Sequence, residues 1–449
     1  MAKAIFEIPE IVLNIAKYLS PADLAQACRV SRSWFVPFVS QLWRSIQLDQ
    51  WIDGNLAPAL PRYSAFVREL RCPRYIEPEV LGAQFEQLTL FRAPLLDNTN
   101  IDIFKQILRE NPNINSLWVV FDRPLFTANE RDEFFESVAG MSKLRSLHFS
   151  GLGFPVYPGE LAHLLNKLTW LKTLVLEECY YSRLPRGTEP TALTIEQSGH
   201  LRSLSTDCFR EDTLDIILEI TQCSPQLEQL VMLEATVYRT NIMMSPRLEW
   251  FAEKLHSYCQ HLDQLKFHAC DLDQNGLACL LSAFPKLRKF EFTDCSMKHG
   301  EILAQIIQHE SCRDSFEEIS LQNSSSRMDP TCADEVFLLL RKFTKLKKVS
   351  LTQCKLLALD FVRSQEEFGY VLASRDLQVL SITITGPNKK WAPPEVFPEK
   401  YTPIRDDAED EDHDLIQVPD YHLYNAVMEE FERQPKLDRS AIRFDYSWF

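Results

Sequence analysis

From residue 67 onward the apolar residues fall into one recurring register: apolar, two residues, apolar, one residue, apolar. It reads Leu144-Arg-Ser-Leu147-His-Phe149, Leu171-Lys-Thr-Leu174-Val-Leu176, Leu262-Asp-Gln-Leu265-Lys-Phe267, Leu287-Arg-Lys-Phe290-Glu-Phe292 and Leu346-Lys-Lys-Val349-Ser-Leu351. The second and third apolar positions are two apart, so they share one face of a short strand and the residue between them points the other way. Between these strands, stretches such as 212–220, 276–284 and 334–343 carry apolar residues at helical spacing. Each unit is therefore a strand followed, after a turn, by a helix.

The pattern assigns repeat starts at Val67, Phe85, Ile114, Leu144, Leu171, Leu201, Leu227, Leu262, Leu287, Phe316, Leu346 and Leu377. After a first interval of 18 (67 to 85), the intervals run from 25 (262 to 287) to 35 (227 to 262). The register and period resemble leucine-rich repeats of roughly 20–29 residues with loop insertions. Strands about 4.8 Å apart stacked beside helices about 10 Å across must bend with the helices outside. The expected fold is an α/β leucine-rich-repeat solenoid, a horseshoe with a concave parallel sheet and outer helices. Cys179, Cys270, Cys295 and Cys354 each fall eight residues after a repeat start, where such repeats close the turn with Asn or Cys. A line of cysteines along a solenoid cannot converge on a metal, so they read as core corners.

Residues 6–48 depart from this register and read as three short helices. Pro9 suits a first helical position and Ile11, Val12, Ile15 and Leu19 form a stripe; Ser20 caps a second helix; the third carries Trp34, Phe35, Phe38, Val39, Leu42 and Trp43. About 40 residues with so many large apolar side chains rarely fold alone and need a partner surface. In order, Ile8-Pro9, Tyr18-Leu19-Ser20-Pro21-Ala22-Asp23-Leu24, Val30-Ser-Arg-Ser-Trp34 and Leu42-Trp43-Arg44 closely resemble the F-box motif. Pro37 departs from it and is expected to interrupt the third helix by removing a backbone donor. The resemblance implies that the segment docks on the Skp adaptor, and through it a cullin, of an SCF (Skp, cullin, F-box) ubiquitin ligase. Carried over by position, the adaptor contacts are Ile8, Pro9, Ile11, Leu19, Leu24, Val30 and Trp34. The repeats would then hold an unidentified protein substrate, with catalysis supplied by another subunit. The alternative is a non-degradative scaffold in which the F-box region assembles a stable complex or caps the repeats.

The register also gives the residues facing away from the helices. In the early repeats Phe91, Trp118, Val120, His148 and Val175 are candidate substrate contacts, because they are apolar for a solvated sheet face. Later repeats place Lys266, His268, Lys289, Glu291 and Lys348 there, mixed in charge. A slip of one residue would turn each side chain inward.

Composition narrows the function classes. The net charge is −15, which disfavours nucleic acid as a partner. No signal-peptide core and no run of about 18 apolar residues is present, so a membrane partner is not expected and the chain reads as intracellular, in cytoplasm and/or nucleus. Without a secretory signal the 12 cysteines are expected to be reduced. His256, Cys259 and His261 are metal-capable types, but no second pair completes four ligands, and no metal or cofactor is expected. The absence of GxSxG, P-loop and GxGxxG motifs leaves an enzyme as the least supported class. The domains read as 1–48 F-box, 49–385 repeats, 386–420 a Pro-rich and acidic insertion containing Asp406 to Asp414, expected to be disordered, and 421–449 a C-terminal cap.

Overall fold

The computed structural model describes residues 8–48, 56–72, 83–95, 98–121, 128–156, 158–181, 200–207, 211–233, 245–270, 272–295, 297–322, 333–356, 377–384 and 443–444. The insertion expected at 386–420 lies outside them, as does all of the expected cap except Arg443 and Phe444. Two compact units are present: residues 1–228 with 258–261, and residues 229–257 with 262–449.

The first unit opens with three short helices, α1 (Pro9–Ala16), α2 (Pro21–Ala27) and α3 (Arg32–Leu42). Its strands are β1 (Ser45–Gln47), β2 (Glu69–Arg71), β3 (Leu90–Leu95), β4 (Ser116–Phe121), β5 (Ser146–Val156), β6 (Thr173–Tyr181) and β7 (Ser203–Asp207). Each pairs in parallel with the next, so sequence order is spatial order. The helices α4 (Leu56–Tyr63), α5 (Asn98–Glu110), α6 (Ala128–Ala139), α7 (Pro158–Lys167) and α8 (Glu211–Gln222) fall between or after the strands. The second unit repeats the scheme with β8 (Gln229–Leu233), β9 (Gln264–His268), β10 (Lys289–Thr293), β11 (Glu318–Gln322), β12 (Lys348–Leu356), β13 (Val379–Ile384) and β14 (Arg443–Phe444), again paired in parallel in order. Its helices include α9 (Ser245–Tyr258), α10 (Gln274–Ala283), α11 (His299–Gln308), α12 (Glu310–Arg313) and α13 (Ala333–Lys342). This one-strand-per-repeat ladder with crossover helices is the expected α/β solenoid.

The residue after each repeat start makes the ladder. Its carbonyl accepts two N–H groups from the next rung: Thr89 O from Asn115 (2.9 Å) and Ser116 (3.0 Å), Arg145 O from Lys172 (2.8 Å) and Thr173 (3.0 Å), and Asp263 O from Arg288 (2.7 Å) and Lys289 (3.0 Å). The start itself and the residues three and five later are buried, as in Leu144, Leu147 and Phe149. They meet a row of stacked phenylalanines from the helices: Phe91 lies 5.6 Å from Phe104, Phe104 lies 5.6 Å from Phe134, and Phe134 lies 5.9 Å from Phe149. Each fully buried Leu or Phe stabilises by roughly 1.5–3 kcal/mol, so the repeated rungs carry the fold.

The register begins earlier than Val67. Trp43, Ile46 and Leu48 are buried at the same three spacings, and Ser45–Gln47 pairs with Glu69–Arg71, so the end of the third helix runs directly into the first rung. One start shifts: Leu88, Phe91 and Ala93 form the buried triplet, and the interval from Val67 is 21 (67 to 88) in place of 18.

The cysteine corners are as expected where their side chains are described. Cys179, Cys270 and Cys295 are buried and donate S–H to a carbonyl five residues after the preceding repeat start: Phe149 O (3.7 Å), Met232 O (3.3 Å) and Phe267 O (3.8 Å). Before the last two, Ala269 and Asp294 each take φ of 55° to turn the chain, and donate N–H to Thr293 O and Gln322 O at 2.7 Å. Cys223 and Cys259 are also buried, and burial pushes both thiols up to about 12. No described cysteine is in a disulfide.

Candidate functional site

Two surfaces qualify, and the first is the helical segment. Ile8 in extended backbone precedes α1, with Pro9 at its first turn and Glu10 complementing the dipole. Ser20 caps α2, accepting the Asp23 N–H at 3.2 Å and donating its hydroxyl to the Asp23 carboxylate at 2.6 Å. Ser31 caps α3 by accepting the Trp34 N–H at 3.2 Å. The core these helices enclose is small: Val12, Ala16, Leu24, Ala27 and Phe38, with Leu19, Cys28, Trp34 and Leu42 packed against it. Trp34 and Phe38 hold ring centroids 5.3 Å apart. So small a core cannot take the remaining apolar side chains. Tyr18 is 89 % and Val30 65 % exposed, and Leu13, Ile15, Phe35 and Val36 are exposed too. Among the described residues, only Trp170 and Trp250 elsewhere are exposed large apolar side chains. Ile11 and Ile15, four apart, share one flank of α1, and Tyr18 follows in the turn just past its end. Leu13 lies on another flank, lining a depression with Ser40, Arg44 and Phe66 beside the first rungs.

The second surface is the sheet face opposite the buried rungs, on β3 to β6. Parallel pairing sets Arg92, Trp118, His148 and Val175 side by side. The Arg92 guanidinium carbon sits 3.7 Å from the Trp118 ring centroid, and the His148 ring stacks on the same indole at 4.1 Å and 12°. His148 Nε2 is 2.9 Å from Glu177 Oε2. A carboxylate only accepts, so that ring nitrogen carries the proton. This hydrogen bond from His148 holds the Glu177 carboxyl below the usual carboxylate range, helped by the charge of Arg92 and opposed by burial. The Trp118 indole N–H is buried and has no acceptor among the described residues. In the second unit the same face is closed by its own charges, with Lys266 2.8 Å from Glu291 and Lys289 2.8 Å from Glu318.

Residues 9–49 match the F-box-like family. Within this F-box-like domain, Val30 is exposed, and Ile8, Ile11, Leu19 and Trp34 are half-buried. Leu24 is a correction: only 4 % exposed, it lies inside the core between α2 and its neighbours and supports the surface without being part of it. Pro9 belongs to α1, and its side chain lies outside the described ones. Pro37 is a second correction, because α3 runs through it from Arg32 to Leu42. The missing donor would have reached the carbonyl of Ser33, an exposed residue, and the proline ring is buried in return. Tyr18, Phe35 and Val36 are exposed beside these positions without being among the carried-over contacts, although Tyr18 stands inside the motif.

On the sheet face Trp118, Val120, His148 and Val175 point away from the buried rungs and are half-buried. Phe91 is a third correction: it is fully buried and stacks on Phe104, because the repeat starts at Leu88 and turns it inward. No group of residues able to hold a metal ion is found among the described residues, where His256 packs edge-on against Phe284 and Cys259 donates to Thr221 O at 3.6 Å. No described helix is long and apolar enough to cross a membrane.

No curated protein matches the chain. Among solved structures it is similar to a Bacteroides fragilis protein (13 % identity, TM-score 0.39, 59 % of this chain and 75 % of that one). It is also similar to a chain from the yeast Rad7 and Elc1 complex (14 % identity, TM-score 0.36, 86 % of this chain and 95 % of that one).

Proposed function

We propose that the F-box-like domain docks on a Skp-type adaptor while the strand ladder holds a protein target, which makes the chain a substrate receptor of an SCF-type ubiquitin ligase. The observation that carries the reading is the crowding of exposed apolar side chains into Leu13 to Val36, on a domain matched to the F-box-like family. An exposed cluster of this kind marks a surface for a partner to cover. The direct run from α3 into the first rung joins such a docking surface to the ladder without a linker. A receptor of this kind contributes no catalytic residue. It raises the effective concentration of the target at an enzyme carried elsewhere in the complex.

The Arg92, Trp118, His148 and Glu177 cluster is the best-equipped target contact on the sheet face, with an indole held rigid between a guanidinium and an imidazole. Partners captured through the full chain, and lost with Trp118→Ala, are the targets to follow. Loss of the chain should lengthen their half-life. Unchanged half-lives with capture intact would favour the scaffold reading and overturn the degradative one.

A further inference from the structure

The residue after each repeat start lies at one edge of the ladder, where its carbonyl bonds the next rung. In the second unit this edge alternates in sign and neutralises itself. Asp263, Arg288, Glu317 and Lys347 occupy successive rungs, with Arg288 3.4 Å from Asp263 and 2.9 Å from Glu317, and Lys347 2.7 Å from Glu317. In the first unit the same position carries Arg44, Arg68, Thr89, Asn115, Arg145, Lys172 and Arg202, and a carboxylate appears only at Glu228, which pairs with Arg202 at 3.0 Å. Arg145, Lys172 and Arg202 stand on consecutive rungs, about 4.8 Å apart. Among the described residues no carboxylate pairs with Lys143, Arg145 or Lys172. Like charges at this spacing repel, so the edge is held in an arrangement that an anion would relieve.

Two further features adjoin this edge. A depression of about 440 Å³ opens on this edge, lined by Asn113, Asn115, Ser142, Lys143, Arg145 and Trp170, whose polar groups can all donate hydrogen bonds. Beside it Trp170 is 57 % exposed and stacks on His200 at 5.0 Å and 15°. An aromatic ledge next to unneutralised cations is the composition of a protein-binding hot spot.

We infer that this edge of the first unit binds an acidic, carboxylate-rich segment of a partner protein, with Lys143, Arg145 and Lys172 pairing its carboxylates and Trp170 holding an adjacent apolar side chain. The short reach of the basic run decides between polyanions. Three rungs span about 10 Å, the length of three extended residues at about 3.3 Å each. A nucleic acid strand would extend its phosphates far beyond that, over a chain whose net charge is −15. The inference goes beyond adaptor docking and does not depend on it, because the full chain alone can be tested.

The test is anisotropy of a labelled Glu-rich peptide carrying one Leu, titrated with the full chain at low and at moderate salt. The wild type should bind saturably and more weakly as salt rises, and Lys143→Glu with Arg145→Glu should weaken binding by about tenfold or more. Trp170→Ala should weaken it independently of salt, and Lys254→Glu, an exposed cation elsewhere, should leave it unchanged. Both reversed residues are exposed, so the fold should be untouched, checked by an unchanged thermal transition. No saturable binding at low salt, equal binding by the double variant, or tighter binding of a single-stranded RNA of equal charge would each overturn the inference.

Discussion

Glu317 ties together three rungs of the second unit, and its removal gives a stability change whose size and pH dependence follow from the structure. Its carboxylate accepts two parallel hydrogen bonds from Arg288, at 2.9 and 3.0 Å, and a third from Lys347 at 2.7 Å. The bonds from Arg288 first, and then from Lys347, lower its pKa from 4.5 to about 2. At face value that shift is worth roughly 3 kcal/mol. Arg288 and Lys347 are nearly half exposed, so solvent screening reduces the contribution to about 1–2 kcal/mol. Glu317→Gln keeps the shape and removes the charge, so the variant should be less stable by that amount in urea unfolding at neutral pH. The folded pKa is depressed, so the stabilisation is present above the unfolded value near 4.5 and lost as pH falls through about 2. The gap between wild type and variant should therefore hold at neutral pH, close between about pH 4.5 and 2, and shrink in high salt. A gap that stayed constant through that pH window, or no gap at neutral pH, would refute the reasoning.

Three further substitutions separate surface, core and backbone. Leu24→Ala should destabilise the F-box-like domain by about 2–5 kcal/mol, whereas Tyr18→Ala should change stability by less than about 0.5 kcal/mol, both read by thermal unfolding. Gly151 takes φ of 149°, and an added Cβ would collide with the Phe121 carbonyl at the end of β4; Gly151→Ala should cost more than about 1 kcal/mol and disturb the β4–β5 pairing, seen by hydrogen exchange there. Ala269 occupies a left-handed turn that glycine adopts without strain, so Ala269→Gly should raise the denaturation midpoint, with a gain of up to about 1 kcal/mol.

The ladder was legible in the sequence because its turn and strand demand apolar residues at three fixed offsets, and few other folds repeat that demand. The one misplaced start shows the limit. Phe85-x-x-Leu88-x-Leu90 and Leu88-x-x-Phe91-x-Ala93 both satisfy the register, and only the pairing of Glu69–Arg71 with Leu90–Arg92 selects the second. Phe91 turns from face to core with that choice. In the F-box-like domain the motif located the helices but not their inner sides, so Leu24 and the exposed Val30 looked alike. Pro37 misled because a proline inside a helix costs one hydrogen bond, which an outward carbonyl and a buried ring offset. The charge contrast between the two edges emerges only when the rungs are aligned, because Arg145, Lys172 and Arg202 lie 27 and 30 residues apart in the chain.

Adaptor docking is tested most directly by co-expressing the full chain with a Skp-type adaptor and separating the products by size exclusion. The wild type should elute as a stoichiometric complex, and Tyr18→Asp with Val30→Asp, both at exposed positions, should abolish it while leaving the thermal transition of the chain unchanged. A wild type that elutes alone, or a complex that survives the double substitution, would contradict docking through this surface.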